Sequence, residues 1–174
     1  EAALSHADIA CNLAKAQGRN RISLYDPSDR NKAGMAEDMG WASRVREMLE
    51  QDKFQLVYQP IMALNEDTVQ DYEVLVRMVC DDGEVILPGG FMPAAERFGL
   101  IHSVDRWIVR RALTQLSRLH HTGETVRFSI NLSGKAFEDS ALLPMIQEML
   151  DNLNIEPSYV CFEITETAAI AKLS

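Results

Sequence analysis

The sequence lacks several features that define common protein classes. It has no apolar run of the roughly 18 residues that a membrane-spanning helix needs. Its three cysteines are an odd number at distant positions, and no pair has the spacing of a zinc finger or a redox motif. Glycine and proline are too few for collagen or low-complexity disorder. We therefore expect a cytoplasmic protein, or the cytoplasmic part of a larger membrane-tethered protein.

Basic residues are also scarce. Lys and Arg total 17 against 26 Asp and Glu, which gives a formal net charge of −9. This net negative charge argues against nonspecific binding of DNA or RNA, because such binding needs an electropositive surface. It is compatible with a site that collects divalent cations. The remaining composition, 47% hydrophobic and 25% charged, is typical of a globular protein, and we expect no membrane contact from this segment.

The order of predicted elements indicates an α/β fold. A helix over 6–17 and a strand over 21–25 are followed by a polar stretch, 26–40, that we interpret as a linker. A helix begins at Trp41, and strands and helices then alternate, which predicts βαβ units and a mainly parallel sheet. The predicted strands are 54–64, 69–80, 126–132 and 159–165, and the later helices are 91–98, 101–121 and 142–153.

Polar side chains recur on one face of three predicted strands. Side chains alternate between the faces of a strand, so apolar residues such as Val74, Ile130 and Phe162 mark the face that packs on helices. The opposite face is then mostly polar in all three strands. It carries Glu73, Leu75 and Arg77 in the first, Ser129, Asn131 and Ser133 in the second, and Cys161, Glu163 and Thr165 in the third. A plain parallel sheet would need apolar residues on both faces.

Burying such groups without partners costs about 2–7 kcal/mol each, and more for charges. A divalent cation bound by carboxylate and amide oxygens would compensate Glu73, Asn131 and Glu163. Arg77 could hold a phosphate by a forked hydrogen bond. The alternative is that Glu73 and Arg77 form a structural ion pair and Asn131 caps a loop. We expect Asp105 to brace a helix.

Six ordered motifs carry a family resemblance. Glu73-Val74-Leu75-Val76-Arg77 resembles the Glu-x-Leu-x-Arg signature of the EAL phosphodiesterase domain. Similar pieces of that family's pattern are Tyr58-Gln59-Pro60-Ile61, Phe91-Met92-Pro93, Asp105-Arg106-Trp107, Asn131-Leu132-Ser133 and Glu163-Ile164-Thr165-Glu166. The start of the chain resembles the end of a GGDEF diguanylate cyclase domain. The resemblance therefore implies a GGDEF tail at 1–27, a linker at 28–40 and the N-terminal part of an EAL domain at 41–174.

The resemblance implies a fold and a reaction. EAL domains are variant (β/α)8, TIM-like barrels that hydrolyse cyclic di-GMP to pGpG with Mg²⁺ or Mn²⁺, and the resemblance implies two metal sites in a complete domain. By position, Glu73, Asn131 and Glu163 would be the metal ligands and catalytic residues. Arg77 would contact a phosphate, and Gln59, Leu75 and Pro93 would line the substrate pocket. Glu166 would tether a loop that couples dimerisation to the metal site.

A complete barrel takes about 250 residues, so we expect this chain to stop after about four barrel strands. The later catalytic motifs are absent, and we expect the chain alone to be inactive. A homodimer or swapped oligomer is expected, because a partial barrel exposes a strand edge and an apolar flank. Two alternatives stay open, a receptor that binds cyclic di-GMP without cutting it and a dimerising signalling module.

Overall fold

The computed structural model describes residues 30–62, 64 and 70–164, together with the single positions 10 and 22. For residues 30–39 it describes the backbone. Apart from those two single positions, the predicted helix over 6–17, the strand over 21–25 and the GGDEF-like tail lie outside the described residues. Glu166 and Thr165 lie outside them too.

The described elements alternate largely as the sequence predicts. The helices are α1 (Arg30–Glu50), α2 (Pro88–Arg97), α3 (Ile101–His121) and α4 (Leu142–Leu153). The strands are β1 (Phe54–Ile61), β2 (Asp71–Val79), β3 (Val85–Ile86), β4 (Arg127–Leu132) and β5 (Val160–Ile164). Short 3₁₀ turns lie at Ala136–Glu138 and Pro157–Tyr159.

Helix α1 begins earlier than predicted. Most of the stretch interpreted as a linker is helical, because α1 starts at Arg30 rather than at Trp41. The helical part of this stretch, 30–40, contains two Ala, two Met and one each of Arg, Lys and Glu, which favour helices and offset its two glycines at about 1 kcal/mol each. Tertiary packing of Val45 and Met48, both buried, anchors the helix. The role of this segment as an interdomain linker stays a prediction.

The sheet has the strand order β1-β2-β4-β5, with β3 pairing only the end of β2. The expectation of a mainly parallel sheet is wrong for its first half. β1 and β3 pair β2 antiparallel, whereas β2–β4 and β4–β5 are parallel. No described helix separates β1, β2 and β3, so these strands reverse direction, and the helices before β4 and β5 allow parallel crossovers. Pro60 lies in edge strand β1, the kind of strand in which proline is tolerated.

One face of the sheet forms the core with the helices. Val74, Val76 and Met78 of β2 and Phe128 and Ile130 of β4 are buried against it. The helices contribute buried apolar residues at helical spacing, among them Phe91, Ile101, Val104, Ile108 and Ile146. The alternation of side chains along each strand therefore predicted the apolar face of the sheet correctly. Within the described residues the sheet is open, and β1 and β5 are its edges.

Candidate functional site

A row of side chains crosses the sheet on the face away from the helices. Gln59 of β1 is the register partner of Glu73 in β2, Glu73 pairs with Ser129 in β4, and Ser129 pairs with Cys161 in β5. Register partners in neighbouring strands point to the same face. All four side chains therefore share one surface, as the alternation of the sequence predicts.

The next row brings the remaining predicted ligands to the same place. Asn131 and Glu163 are register partners on the parallel strands β4 and β5. The carboxamide nitrogen Nδ2 of Asn131 donates a 2.7 Å hydrogen bond to Oε1 of Glu73. The structure thus brings Glu73, Asn131 and Glu163 together from three neighbouring strands, although they lie up to 90 positions apart in the chain.

The donor atoms of this cluster are all oxygens. Asn131 uses its NH₂ group on Glu73, which leaves its carbonyl oxygen Oδ1 able to act as a ligand. Asn131 and Glu163 are exposed, and Glu73 is partly exposed, so their oxygens are accessible. Two carboxylates and one amide oxygen suit a hard cation such as Mg²⁺ or Mn²⁺ better than a soft one. The residues present therefore fit the metal that the sequence predicts.

Two further predicted residues share the strand of Glu73. Leu75 and Arg77 follow it at spacings of two and are partly buried. Nη1 of Arg77 donates a 2.8 Å hydrogen bond to the carbonyl of Val76. Within the described residues, Arg77 and Glu73 form no ion pair, so the structural alternative for these two does not hold. Pro93 lies in α2 at an exposed position.

The three candidate ligands do not all lie at the ends of their strands. Asn131 and Glu163 are near the ends of β4 and β5. Glu73 is instead the third residue of β2, which continues to Val79 because it also pairs with β3. The side chain of Asn131 extends towards the register position of Ser129, two residues earlier, and contacts Glu73 there. This hydrogen bond joins the ligand on β2 to the ligands on β4 and β5.

Ser133 is not on the polar face, contrary to the prediction. β4 ends at Leu132, so the alternation stops there, and Ser133 is buried towards α3. Its backbone N–H donates to Oδ1 of Asp105 at 3.2 Å, and its hydroxyl donates to Oδ2 at 2.5 Å. Asp105 is fully buried, which confirms the expectation that it braces the structure. The sequence signal was an acidic residue at an apolar spacing, four positions after Ile101.

Burial raises the pKa of the Asp105 carboxyl, and the two hydrogen bonds from Ser133 oppose that increase. The charge of His102, one turn earlier on α3, lowers the pKa of Asp105, and that of Asp139 raises it. Asp139 accepts hydrogen bonds from Nη1 of Arg106 at 3.0 and 2.8 Å. Asp105 and Arg106 thus link α3 to the loop after β4 at two separate points.

Other polar residues outside the cluster have structural partners. His120 lies 2.9 Å from the carbonyl of Val126 through Nε2, and the indole N–H of Trp107 donates to Asp52 at 2.7 Å. The acidic segment after β2 forms a tight hairpin turn in which Gly83 has a φ of 86°. Clefts such as the 600 Å³ groove between α3 and α4 lie on the helical side, away from the ligand cluster.

The family of the chain follows from its match to a family model. Residues 42–174 match the model described as "EAL domain". This chain belongs to the EAL domain family. The match covers every predicted ligand, and it begins at residue 42, one position after the predicted start of the domain at 41.

Several EAL proteins resemble the chain. It is 37% identical over 168 residues to "Cyclic di-GMP phosphodiesterase PdeB" of Shewanella oneidensis, which covers 96% of this chain and 20% of the relative. It is 28% identical to "Cyclic di-GMP phosphodiesterase PdeR" of Escherichia coli, over 97% of this chain and 25% of the relative. The crystal structure of the Xanthomonas citri FimX EAL domain in complex with cyclic di-GMP matches with a TM-score of 0.72 and 27% identity, over 82% of this chain and 55% of that domain.

The chain thus spans about a fifth to a quarter of these relatives and about half of the solved EAL domain. Its open sheet corresponds to part of that TIM-barrel-like fold. In the part of the chain that the structure describes, no helix is both long enough and apolar enough to cross a bilayer. The GGDEF tail stays a prediction.

Proposed function

We propose that this chain contributes the first part of the active site of a cyclic di-GMP phosphodiesterase. The observation that carries the proposal is the convergence of Glu73, Asn131 and Glu163 on one face, joined by the Asn131–Glu73 hydrogen bond. The names of the EAL relatives support the same reaction. In this proposal the three residues hold Mg²⁺ or Mn²⁺, and Glu166 tethers a neighbouring loop.

The residues have distinct roles in the hydrolysis. A bound divalent cation would lower the pKa of a water molecule and stabilise charge on the phosphoryl oxygens. Glu73, Asn131 and Glu163 orient that centre, and the Arg77 guanidinium holds a phosphate oxygen. Gln59, Leu75 and Pro93 line the dinucleotide pocket. The water oxygen bonds to phosphorus as one P–O ester bond breaks, and the released oxygen takes up a proton, which gives linear pGpG.

A graft tests the proposal. Residues 42–174 replace the matching segment of the Shewanella relative named as a phosphodiesterase, and pGpG formation is measured with Mn²⁺. We expect hydrolysis, and we expect Glu73→Gln to reduce it at least about a hundredfold, because a charged ligand of the catalytic cation is lost. Glu124→Gln is the matched control, since Glu124 is exposed in the connection that precedes β4, whereas the candidate ligand Asn131 lies near the other end of that strand.

The outcomes of this experiment separate the candidate functions. Hydrolysis that Glu73→Gln removes and Glu124→Gln spares supports the enzyme. A folded graft that binds cyclic di-GMP without cutting it supports the receptor alternative instead, and one that neither binds nor cuts contradicts both.

The 174-residue chain by itself is expected to release no pGpG. Turnover by the purified chain with Mn²⁺, abolished by Glu73→Ala, would refute that expectation. The predicted homodimer or swapped oligomer is tested on the same preparation by light scattering over a range of concentrations, and a monomer at high concentration would contradict it.

A further inference from the structure

The end of β4 is anchored unevenly. Its ladder with β2 stops at the Val74–Ile130 pair, whereas its ladder with β5 continues through Asn131 and Leu132. Asn131 therefore lies within the ladder to β5 but one residue beyond the last β2–β4 register pair, where its side chain contacts Glu73. A strand end paired on one side is held less firmly than its middle, so a further support is needed to fix a ligand there.

Asp105 provides a contact at this point. It is fully buried in α3, and both of its carboxylate oxygens accept hydrogen bonds from Ser133, two residues after Asn131. One oxygen binds the backbone N–H of Ser133 and the other binds its hydroxyl, so both the main chain and the side chain of Ser133 are fixed. A single bond would leave one of them free to rotate.

We propose that Asp105 and Ser133 are positioning residues that fix the side chain of Asn131 beside Glu73, and so set the geometry of the cation site. The consequence for the cation rests on the proposed function. The effect on Asn131 itself does not, and it can be measured without any metal.

Helix α3 is rigid enough to act as this reference. Val104 and Val109 are fully buried and Ile108 is 3% exposed, so the turn that carries Asp105 is packed against the sheet. Displacing Asp105 from Ser133 would leave a buried carboxylate and a buried N–H without partners, which is costly. The position of Ser133 is therefore tied to the core. Metal ligands depend on such supporting contacts, which hold them in one orientation.

A second link between the same helix and loop supplies a matched control. Arg106 binds Asp139, which lies eight residues after Asn131 and beyond the 3₁₀ turn. Removing the Asp139 carboxylate loosens the same loop beyond the 3₁₀ turn, because the bonds from Arg106 and from the Ala141 N–H are lost, but it leaves both Asp105–Ser133 hydrogen bonds in place. Arg106 has a 31% exposed side chain and can turn to solvent in that variant.

The experiment follows the Asn131 carboxamide by NMR in the full 174-residue chain without metal. Asp105→Ala is expected to shift the Asn131 Nδ2 proton signals and to speed their exchange with water at least about threefold, because the hydrogen bond to Glu73 opens more often. Asp105→Asn is the rescue variant, since its amide oxygen accepts from the Ser133 N–H and its NH₂ can donate to the Ser133 hydroxyl. It should retain the wild-type signals.

Ser133→Ala keeps the proposal testable if Asp105→Ala does not fold, because it removes only the hydroxyl contact. It should change the Asn131 signals in the same direction by a smaller amount. Unchanged Asn131 signals in folded Ser133→Ala would overturn the proposal. Equal changes in Asp139→Ala would also overturn it, because they would indicate a general loosening of the loop.

Mn²⁺ titration of the same proteins supplies a second readout. Asp105→Ala is expected to weaken binding about tenfold, and Asp105→Asn and Asp139→Ala are expected to bind as the wild type does. A wild-type chain that binds no Mn²⁺ would count against the proposed function, while the Asn131 signals still decide the positioning role. Equal Mn²⁺ affinity in wild type and Asp105→Ala would contradict the role of Asp105 towards the cation.

Discussion

Ile130 precedes the candidate ligand Asn131 in β4 and points to the opposite face of the sheet, towards the helices. Replacing it tests whether packing on that face supports the site. Its side chain is 0% exposed and belongs to the main core. Ile130→Ala removes three carbons, which costs roughly 2.4 kcal/mol at about 0.8 kcal/mol per methylene. A residual cavity of roughly 60 Å³ adds about 1.4 kcal/mol at ~24 cal/mol per Å³. The expected loss of unfolding free energy is therefore about 4 kcal/mol.

The matched control is Ile61→Ala, which makes the same chemical change in the same sheet. Ile61 is 47% exposed in edge strand β1, so about half of its transfer free energy is available and no closed cavity forms. We expect a loss of about 1 kcal/mol. The contrast between the two variants isolates burial, because both start from isoleucine in a strand.

Urea denaturation measures both losses. With a slope of about 2–3 kcal/mol per M for a chain of this size, Ile130→Ala should lower the midpoint by about 1.3–2 M and Ile61→Ala by less than about 0.5 M. An unchanged slope is needed to show that the change is one of stability. Equal shifts in the two variants would refute the assignment of the faces of the sheet.

Three further predictions concern charge and backbone conformation. Burial raises the pKa of the Asp105 carboxyl above its ordinary value of 3.8, so the wild type loses stability as the pH rises from 3.8 through the pKa of the folded state. The melting temperature of Asp105→Asn, measured relative to wild type, should therefore rise over that pH range. A difference in melting temperature that does not change with pH would contradict this prediction. Gly123 has a φ of 90°, so Gly123→Ala should lower the free energy of unfolding by about 1 kcal/mol, whereas Gly40→Ala in α1 should raise it by about 0.5–1 kcal/mol. Thermal unfolding that ranks the two variants the other way would show the backbone assignment to be wrong. Asp71→Asn should cost less than about 1 kcal/mol and lose its effect in high salt, because its ion pair with Arg127 is largely exposed; a larger, salt-insensitive loss in urea denaturation would contradict that estimate.

Much of the site was accessible from the sequence because strand alternation is a local property. The period-two pattern placed Glu73, Leu75 and Arg77 on one face and Val74, Val76 and Met78 on the other, and burial agrees. The same pattern failed for Ser133, where the strand had already ended. Alternation predicts orientation only as far as the extended backbone continues, and the end of a strand is set by its neighbours.

The amino-acid sequence by itself determined where most of the helices and strands lie, which faces are apolar and which oxygen donors are available. Those features follow from the spacing of side chains along one segment. Only the tertiary structure decided that β1 and β3 run antiparallel to β2, that Asn131 reaches back to Glu73 and that Asp105 holds Ser133. These contacts join residues 28 or more positions apart or depend on strand pairing, so they exist only once the core has fixed the register of the sheet and the position of α3.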